Sequence, residues 1–194
     1  LFQDGKTPVF LGGEHALTPA CVKAAARRYP DLAVLQFDAH ADLRDDYLGV
    51  RESHASAMRR VAEVVGFERL AQVGLRSGTR EEFLLARREG TFFPGPLEKA
   101  LEPALRRLGS RPVYLTVDID VLDPAYAPGV GTPEPGGATP AEILDAVRRV
   151  CRQAHVVAVD VVEVCPPQDH SDVTAVLAAK LVREVLLLLG GREG

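Results

Sequence analysis

The fold of this 194-residue chain is decided by the segment Leu32-Ala33-Val34-Leu35-Gln36-Phe37-Asp38-Ala39-His40-Ala41-Asp42. Its first six residues form a short apolar run after Pro30-Asp31, which is typical of a strand buried on both faces. Three potential metal ligands, Asp38, His40 and Asp42, follow immediately. Residues spaced two apart cannot share one helical face, but a loop can direct all three at one point. A polar turn is the simpler alternative, because aspartate is common in turns.

The first strand along the chain ends in a similar way. The run Thr7–Leu11 is predicted to be a short strand, and it leads into Gly12-Gly13-Glu14-His15. The two glycines permit a tight turn and a close approach of the backbone. A single histidine at such a position is more often a polar loop residue than a ligand. His15 therefore gains weight only together with ligands that follow other strands.

Two later apolar runs end in acidic residues. Pro112–Val117 leads into Asp118-Ile119-Asp120, and Val156–Val162 ends at Glu163. In a strand-like segment Asp118 and Asp120 point to the same side, where two carboxylates repel each other unless a cation lies between them. A surface turn with spare acids fits poorly after so apolar a run, so the pair favours a cation site.

Predicted helices alternate with the strands, and this alternation predicts the fold class. Apolar spacing and capping residues predict helices from Thr18 (N-cap) to about Tyr29, over Ala57–Val65, Glu81–Glu89 and Leu97–Leu108, after the Thr139/Glu142 capping box, and from Ser171 or Thr174 to Leu189. Ala71–Arg76 is predicted to be a further strand, and 90–96 a break rich in Gly and Pro. We expect an α/β fold of three αβα layers around a mostly parallel sheet, in one domain over residues 1–194.

Seven polar residues then meet at the carboxyl edge of the sheet: His15, Asp38, His40, Asp42, Asp118, Asp120 and Glu163. The four aspartates carry a charge of −4, which two divalent cations neutralise at a separation of roughly 3.5–4 Å. Oxygen and imidazole ligands without thiolate favour Mn²⁺ over Zn²⁺. Two such metals flanking one water make hydroxide available near neutral pH, which suits hydrolysis at a planar carbon or at phosphorus.

Composition excludes several other classes of protein. Hydrophobic residues make up 46% and charged residues 26% of the chain, and its net charge is −4. The Lys and Arg residues are dispersed, so no nucleic-acid surface is expected. No apolar run is long enough to span a bilayer and no signal peptide is present, so no membrane contact is expected. Cys21, Cys151 and Cys165 form no C-x-x-C pair, which favours a reducing cytoplasm.

Together, the motifs resemble the ureohydrolases, the arginase/agmatinase family of binuclear manganese enzymes. The resemblance rests on Gly12–His15, Asp38–Asp42, Asp118 through Gly137, and Asp160–Val164, and it runs almost from end to end. Within the family, Thr132–Gly137, Ser53-His54 and Pro166–Ser171 are more similar to agmatinases than to arginases.

The resemblance implies the site in detail. It implies two Mn²⁺ per chain, one held by His15, Asp38, Asp42 and Asp118, the other by His40, Asp38, Asp118 and Asp120, with Asp38 and Asp118 bridging. It implies that His54 shuttles protons and that Glu163 pairs with a guanidinium. The candidate catalytic residues are thus His54, Glu163 and Asp42, and the candidate substrate contacts are Glu163, His54 and Thr132. A fold shared with arginases and deacetylases and a homo-oligomer, trimer or hexamer, are also implied.

The substrate expected from this resemblance is agmatine, cleaved to urea and putrescine, or an aminopropyl-agmatine, cleaved to urea and spermidine. The loop Leu43–Ser53 carries Asp45, Asp46 and Glu52 against Arg44 and Arg51. Its net charge of −1 favours a distal amine over the carboxylate of arginine. The rival interpretations are an arginase or other guanidino-acid hydrolase, a zinc-type deacetylase, and an inactive, truncated member that acts only through assembly.

Four features depart from the family pattern. Only Leu1–Leu11 precede the Gly-Gly-Glu-His motif where relatives carry a longer segment, so we expect that the family's N-terminal segment is missing. Glu14 stands where many members have Asp, Ala55 where Gly is frequent, and Cys165 where Asn is common. None of these changes removes an expected ligand.

Overall fold

The strand order brings the predicted ligand loops together. The computed structural model describes residues 1–191. Within that range the strands are β1 (Val9–Leu11), β2 (Ala33–Phe37), β3 (Leu70–Val73), β4 (Phe92–Phe93), β5 (Pro112–Asp118) and β6 (His155–Val162). They form one sheet in the order β1-β6-β5-β2-β3-β4, and every neighbouring pair is parallel. The carboxyl ends of β1, β2, β5 and β6 therefore lie at the same edge of the sheet.

Helices cover both faces of this sheet. They are α1 (Thr18–Ala26), α2 (Ala57–Val65), α3 (Arg80–Glu89), α4 (Leu97–Leu108), α5 (Pro140–Gln153) and α6 (Val173–Gly190). One core joins α1, α2 and α3 to side chains such as Val34 and Tyr114, while the other joins α4, α5 and α6 to Leu35 and Phe37. Successive residues of β2 point to opposite faces, as the strand period requires. The predicted three-layer αβα fold with a parallel sheet is confirmed.

Local sequence explains where the helices begin and end. The bounds of α2 and α4 match the prediction, and the Thr139/Glu142 capping box at the start of α5 is present. A second capping box, Thr79/Glu82, opens α3. In each box the threonine side chain accepts the N–H of the glutamate, and the glutamate side chain accepts the N–H of the threonine. No helix within residues 1–191 combines the length and the apolar character needed to cross a membrane.

Several predicted bounds differ from the structure. β4 is only two residues long and lies inside the predicted break 90–96. It was not predicted because two residues are too few to show the alternation typical of a strand. β3 ends at Val73 rather than Arg76, since Gly74 has a φ of +99° that no regular strand contains. α1 follows a 3₁₀ turn over His15–Leu17 and ends at Ala26 rather than near Tyr29.

The segment after β5 also differs from its prediction. Ile119–Val121 forms a 3₁₀ turn instead of continuing the strand. The Asp118 side chain caps this turn, with Oδ1 accepting the N–H of Asp120 at 2.9 Å. Asp118 and Asp120 still lie at the same edge, but the turn rather than the strand pleat sets their relative position.

Candidate active site

A crevice of about 310 Å³ opens at the carboxyl edge of the sheet. Seven of the predicted site residues line it: His40, Asp42, His54, Asp118, Asp120, Thr132 and Glu163. The remaining two, His15 and Asp38, are fully buried beneath it. The structure thus brings every predicted site residue into one region, drawn from four strand ends and two loops.

His15 is surrounded by carboxylates. Its Nδ1 lies 3.0 Å from Asp42 Oδ2, 3.2 Å from Asp38 Oδ2 and 3.4 Å from Asp118 Oδ2. Nε2, the other ring nitrogen, lies 2.9 Å from Thr116 Oγ1. Among the described residues Nδ1 has no partner in hydrogen-bonding geometry. A buried nitrogen left in this state among three carboxylate oxygens fits a divalent cation bound at that point.

A second group of ligand atoms shares Asp38 with the first. His40 Nδ1 lies 2.9 Å from Asp120 Oδ2 and 3.6 Å from Asp38 Oδ1. The ligand atoms of His15, Asp38 and Asp118, and those of Asp38, His40 and Asp120, each lie within 4.8 Å of one another. Asp38 is therefore common to both groups, as a bridging ligand would be. A bridging role for Asp118 stays a prediction.

Backbone N–H groups hold the candidate ligand carboxylates in place. Asp38 Oδ1 accepts the N–H of His40 at 2.6 Å, and Asp120 Oδ1 accepts the N–H of Ala39 at 3.1 Å. Asp42 takes a left-handed conformation with a φ of 52°, which aspartate tolerates better than most residues. Such fixed carboxylates need no large rearrangement to receive a cation.

The charged groups of this cluster shift one another's pKa because they are buried close together. Burial alone lowers the pKa of His15, but Asp118, Asp38 and Asp42 raise it well above its ordinary value. Burial raises the pKa of Asp118, and the nearby Asp120 and Asp38 raise it further. Despite burial, contacts with His15 and His40 lower the pKa of Asp38. Without a cation, protons therefore compensate the clustered negative charge.

Two of the three predicted non-ligand residues, His54 and Glu163, line the crevice and contact the same turn. His54 Nδ1 lies 2.9 Å from Glu14 Oε1, and the same oxygen accepts the N–H of His54 at 3.0 Å. Glu163 Oε1 accepts the N–H of His15 at 2.6 Å, and its own N–H donates to Gly13 O. Burial raises the pKa of Glu163. Both side chains are thus anchored to the turn that follows β1.

The crevice also contains residues that no sequence motif had assigned to the site. They are Arg44, Tyr47, Ser77, Gly78, Thr79, Glu82 and Glu134. Glu134 Oε1 accepts the hydroxyl of Ser77 at 2.7 Å and lies 3.8 Å from His40 Nε2. Only its place in the Thr132–Gly137 motif could have indicated it.

The loop Leu43–Ser53 does not present its net charge to the crevice, contrary to the prediction. Arg44 and Tyr47 of this loop line the crevice. Asp45 instead forms an ion pair with Arg60 at 2.9 Å, and Asp46 Oδ1 accepts the N–H of Gly49. The net charge of the loop therefore does not describe the surface that a substrate meets. The acidic groups on that surface come from other segments of the chain.

Comparison with known proteins agrees with this geometry. The chain matches the family model described as "Arginase family" over residues 1–188. It is 47% identical over 189 residues to an agmatinase of Bacillus anthracis, and the match covers 96% of this chain and 65% of the relative. It is 40% identical to an N(1)-aminopropylagmatine ureohydrolase of Thermus thermophilus, with coverage of 98% and 65%. An agmatine ureohydrolase structure from Thermoplasma volcanium superposes with a TM-score of 0.85 at 37% identity, covering 97% of this chain and 64% of that one.

These matches show that the chain belongs to the arginase family. The predicted resemblance to ureohydrolases, and within them to agmatinases, is confirmed. The chain spans about 65% of the length of the curated relatives that it matches.

Proposed function

We propose that this chain carries the active site of a manganese-dependent ureohydrolase. The substrate would be agmatine, giving urea and putrescine, or an aminopropyl-agmatine, giving urea and spermidine. One observation carries the proposal: two ligand groups share Asp38 directly beneath a crevice that His54 and Glu163 also line. Relatives named agmatinase and N(1)-aminopropylagmatine ureohydrolase support the substrate class.

The residues present fit two metal ions. His15, Asp38, Asp42 and Asp118 would hold one Mn²⁺, and His40, Asp38, Asp118 and Asp120 the other. When bound, the pair would supply a hydroxide nucleophile near neutral pH. The unpartnered His15 Nδ1 and the three carboxylate oxygens within 3.4 Å of it support this assignment.

Glu163 would bind the guanidinium group of the substrate. Its Oε1 is engaged by the N–H of His15, which fixes the carboxylate and leaves Oε2 for a substrate N–H. A carboxylate and a guanidinium form charge-assisted hydrogen bonds that orient the planar group as well as bind it. Thr132, whose hydroxyl lies 3.4 Å from Asp120 Oδ2, would complete this wall of the crevice.

His54 would move protons to the leaving amine. Glu14 carries only acceptor oxygens when ionised, so His54 Nδ1 donates to it and Nε2 stays available to the crevice. The hydrogen bond to His54 lowers the pKa of Glu14, which keeps it in this acceptor form. The ring of Tyr47 packs edge-on against His54 at 5.4 Å and limits its rotation.

Glu134 favours a cationic substrate tail, whereas Arg44 favours an anionic one. Glu134 is held by Ser77 on the crevice wall and can receive a distal ammonium group. Arg44 lies over the Tyr47 ring at 5.0 Å, and its Nε is paired with Glu82 at 3.3 Å. Because Glu82 already compensates Arg44, we favour the amine-bearing substrates. A guanidino-acid hydrolase is the second candidate, carried by the position of Arg44.

A comparison of four substrates tests the proposal. Urea release is measured with Mn²⁺ present from agmatine, N1-aminopropylagmatine, 4-guanidinobutyrate and arginine. We expect kcat/KM for the first two to exceed the others by a wide margin. If 4-guanidinobutyrate or arginine is the best substrate, Glu134 does not select the substrate tail and the chain is a guanidino-acid hydrolase.

Metal content separates a manganese ureohydrolase from a deacetylase and from an inactive family member. Elemental analysis should find two Mn per chain, whereas a deacetylase-type centre holds one zinc and an inactive member none. A homo-oligomer, trimer or hexamer, remains a prediction that light scattering can check. A cytoplasmic location is also proposed, and it is supported by the odd number of cysteines and the absence of a C-x-x-C pair in the sequence.

A further inference from the structure

Arg76 binds the backbone of two segments next to the crevice. Its Nη2 donates to Asp120 O and to Glu134 O, both at 2.7 Å. Further hydrogen bonds reach the carbonyls of Leu122, Val121, Pro135 and Gly74 at 3.2–3.5 Å. Among the described residues its hydrogen-bond acceptors are all backbone carbonyls. The guanidinium therefore joins the turn after β5 to the loop that carries Glu134.

The backbone around Arg76 reaches a third segment. The N–H groups of Arg76 and Ser77 both donate to Ala39 O, at 2.8 and 3.0 Å. Ala39 lies between Asp38 and His40, so the loop after β2 is held by the same two residues. Ser77 also donates its hydroxyl to the Glu134 carboxylate. The segments that carry Asp38, His40 and Asp120 thus all meet at Arg76-Ser77.

The guanidinium of Arg76 is closely packed against Gly137 and the turn after β5. A Cβ added to Gly137 would lie 2.6 Å from Arg76 Nη2 and 2.5 Å from Asp123 N. Glycine at this position therefore leaves room for the guanidinium against the turn. The planar fork matches several carbonyls at once, which a lysine ammonium, a single point charge on a flexible stem, cannot do.

The contacts of Arg76 are one-sided. The side chain binds the backbone of Asp120 and of Glu134, whose carboxylate lies 3.8 Å from His40 Nε2. Asp120 and His40 belong to one ligand group. Within residues 1–191 the side-chain hydrogen bonds of Arg76 do not include His15 or Asp42, which come from the turn after β1 and the far end of the ligand loop. Loss of Arg76 should therefore affect the two groups unequally.

We propose that Arg76 is a positioning residue for the Asp38/His40/Asp120 group, and that it sets the affinity of that group for its metal ion. This inference rests on the proposed two-metal function. Arg76 acts through the turn and the loop that it joins, and it neither ligates a metal nor touches substrate.

Metal titrations of two variants test the inference. Arg76→Lys keeps the positive charge but loses the planar guanidinium with its several N–H donors. Arg76→Met loses both the charge and the donors. Metal-free protein is titrated with Mn²⁺ alone, with calorimetry for affinity and electron paramagnetic resonance to separate isolated from coupled Mn²⁺. We expect both variants to bind a first Mn²⁺ like the wild type and a second about 10–100-fold more weakly, as on loss of an outer-shell partner.

Arg107 provides a matched control. Its Nη2 also donates to two backbone carbonyls, of Glu89 at 2.9 Å and of Phe67 at 3.2 Å. Arg107 lies in the last turn of α4 and does not line the crevice. Arg107→Lys should leave both Mn²⁺ affinities unchanged. If Arg76→Met does not fold, as judged by circular dichroism, Arg76→Lys alone decides the question.

The outcomes separate this inference from the proposed function. Wild-type protein that binds fewer than two Mn²⁺ overturns both. Wild-type binding of two Mn²⁺ with unchanged affinities in Arg76→Lys overturns only the role of Arg76. An equal loss at both metals, or a loss as large in Arg107→Lys, also overturns it, because a general destabilisation would then explain the result.

Discussion

The side-chain amide of Gln36 donates a 2.6 Å hydrogen bond to Oδ2 of Asp38, the carboxylate that both ligand groups share. Gln36 Oε1 in turn accepts from Gln72 Nε2 at 2.7 Å, and Gln72 Oε1 accepts the hydroxyl of Thr91 at 2.7 Å. All four side chains are fully buried. Two buried amides thus connect Thr91 to Asp38 along one face of the sheet, across β3 and β2. Their cost of burial is offset because their polar groups are paired.

The first prediction concerns these two amides. Gln36→Leu removes the hydrogen bond to Asp38 and one acceptor of Gln72, so the free energy of unfolding should fall by about 1–3 kcal/mol. Urea unfolding monitored by circular dichroism measures the change. An unchanged midpoint would show that Asp38 does not depend on Gln36.

The second prediction concerns Asp118, the candidate ligand at the end of β5. Asp118→Ala should remove most of the activity and much of the metal, measured as urea release and as Mn per chain. In metal-free protein, Asp118→Asn should be at least as stable as the wild type, because burial and the nearby Asp120 and Asp38 disfavour its charge. Full turnover with unchanged metal content would refute the site.

The third prediction separates a proton shuttle from a ligand. His54→Ala should keep both metals and lower kcat by about 10²–10⁴-fold, which is the usual cost of losing a general acid or base. Tyr47→Phe keeps the ring that packs on His54 and serves as control. If the His54→Ala protein binds less metal, His54 is a ligand instead.

Most of the strands, and the closeness of the candidate ligands, were predictable because each depends on a local pattern joined to one topological rule. Pro112–Val117 and Leu32–Phe37 are apolar runs that only a buried strand explains. The rule that parallel strands share a carboxyl edge then places Asp38 and Asp118 together, although 80 residues separate them. Neither step required knowledge of which residues contact each other.

Arg76 and Glu134 were not predictable in this way. A single arginine after a strand has no periodicity, and its partners, apart from Gly74, are carbonyls 44–59 residues away. The Glu134 carboxylate is held by Ser77, 57 residues earlier in the chain. The charge of the loop Leu43–Ser53 misled for the same reason, since Arg60, outside the loop, compensates Asp45. Side-chain pairing between distant segments leaves no trace in local composition.

The fourth prediction is that metal-free protein loses stability as pH rises. Burial opposes protonation of His40, but Asp120 and Asp38 raise its pKa from 6.5 to about 11. A raised folded-state pKa stabilises the fold fully below the unfolded pKa, and this stabilisation is lost as pH rises toward the folded value. Asp118, whose pKa is also raised, contributes with the same sign.

Thermal unfolding in the presence of a chelator checks this prediction. The melting temperature should fall between about pH 6.5 and pH 8.5, a range above the unfolded pKa of histidine. Saturating Mn²⁺ should abolish or reverse the trend, because ligands must be deprotonated to bind metal. A melting temperature in chelator that rises over this range would contradict the charge assignment.

The last prediction distinguishes the two acidic residues on the crevice walls. Glu163→Gln keeps the size of the side chain and removes its charge, so every guanidino substrate should lose about 1.5–3 kcal/mol of binding, the value of a hydrogen bond to a charged group. Glu134→Gln should lower kcat/KM for agmatine and leave that for 4-guanidinobutyrate unchanged or higher, since only agmatine carries a distal ammonium. Steady-state kinetics with both substrates, at equal metal content, measure the two effects. If Glu134→Gln affects both substrates alike, Glu134 acts through His40, 3.8 Å away, rather than on the substrate tail.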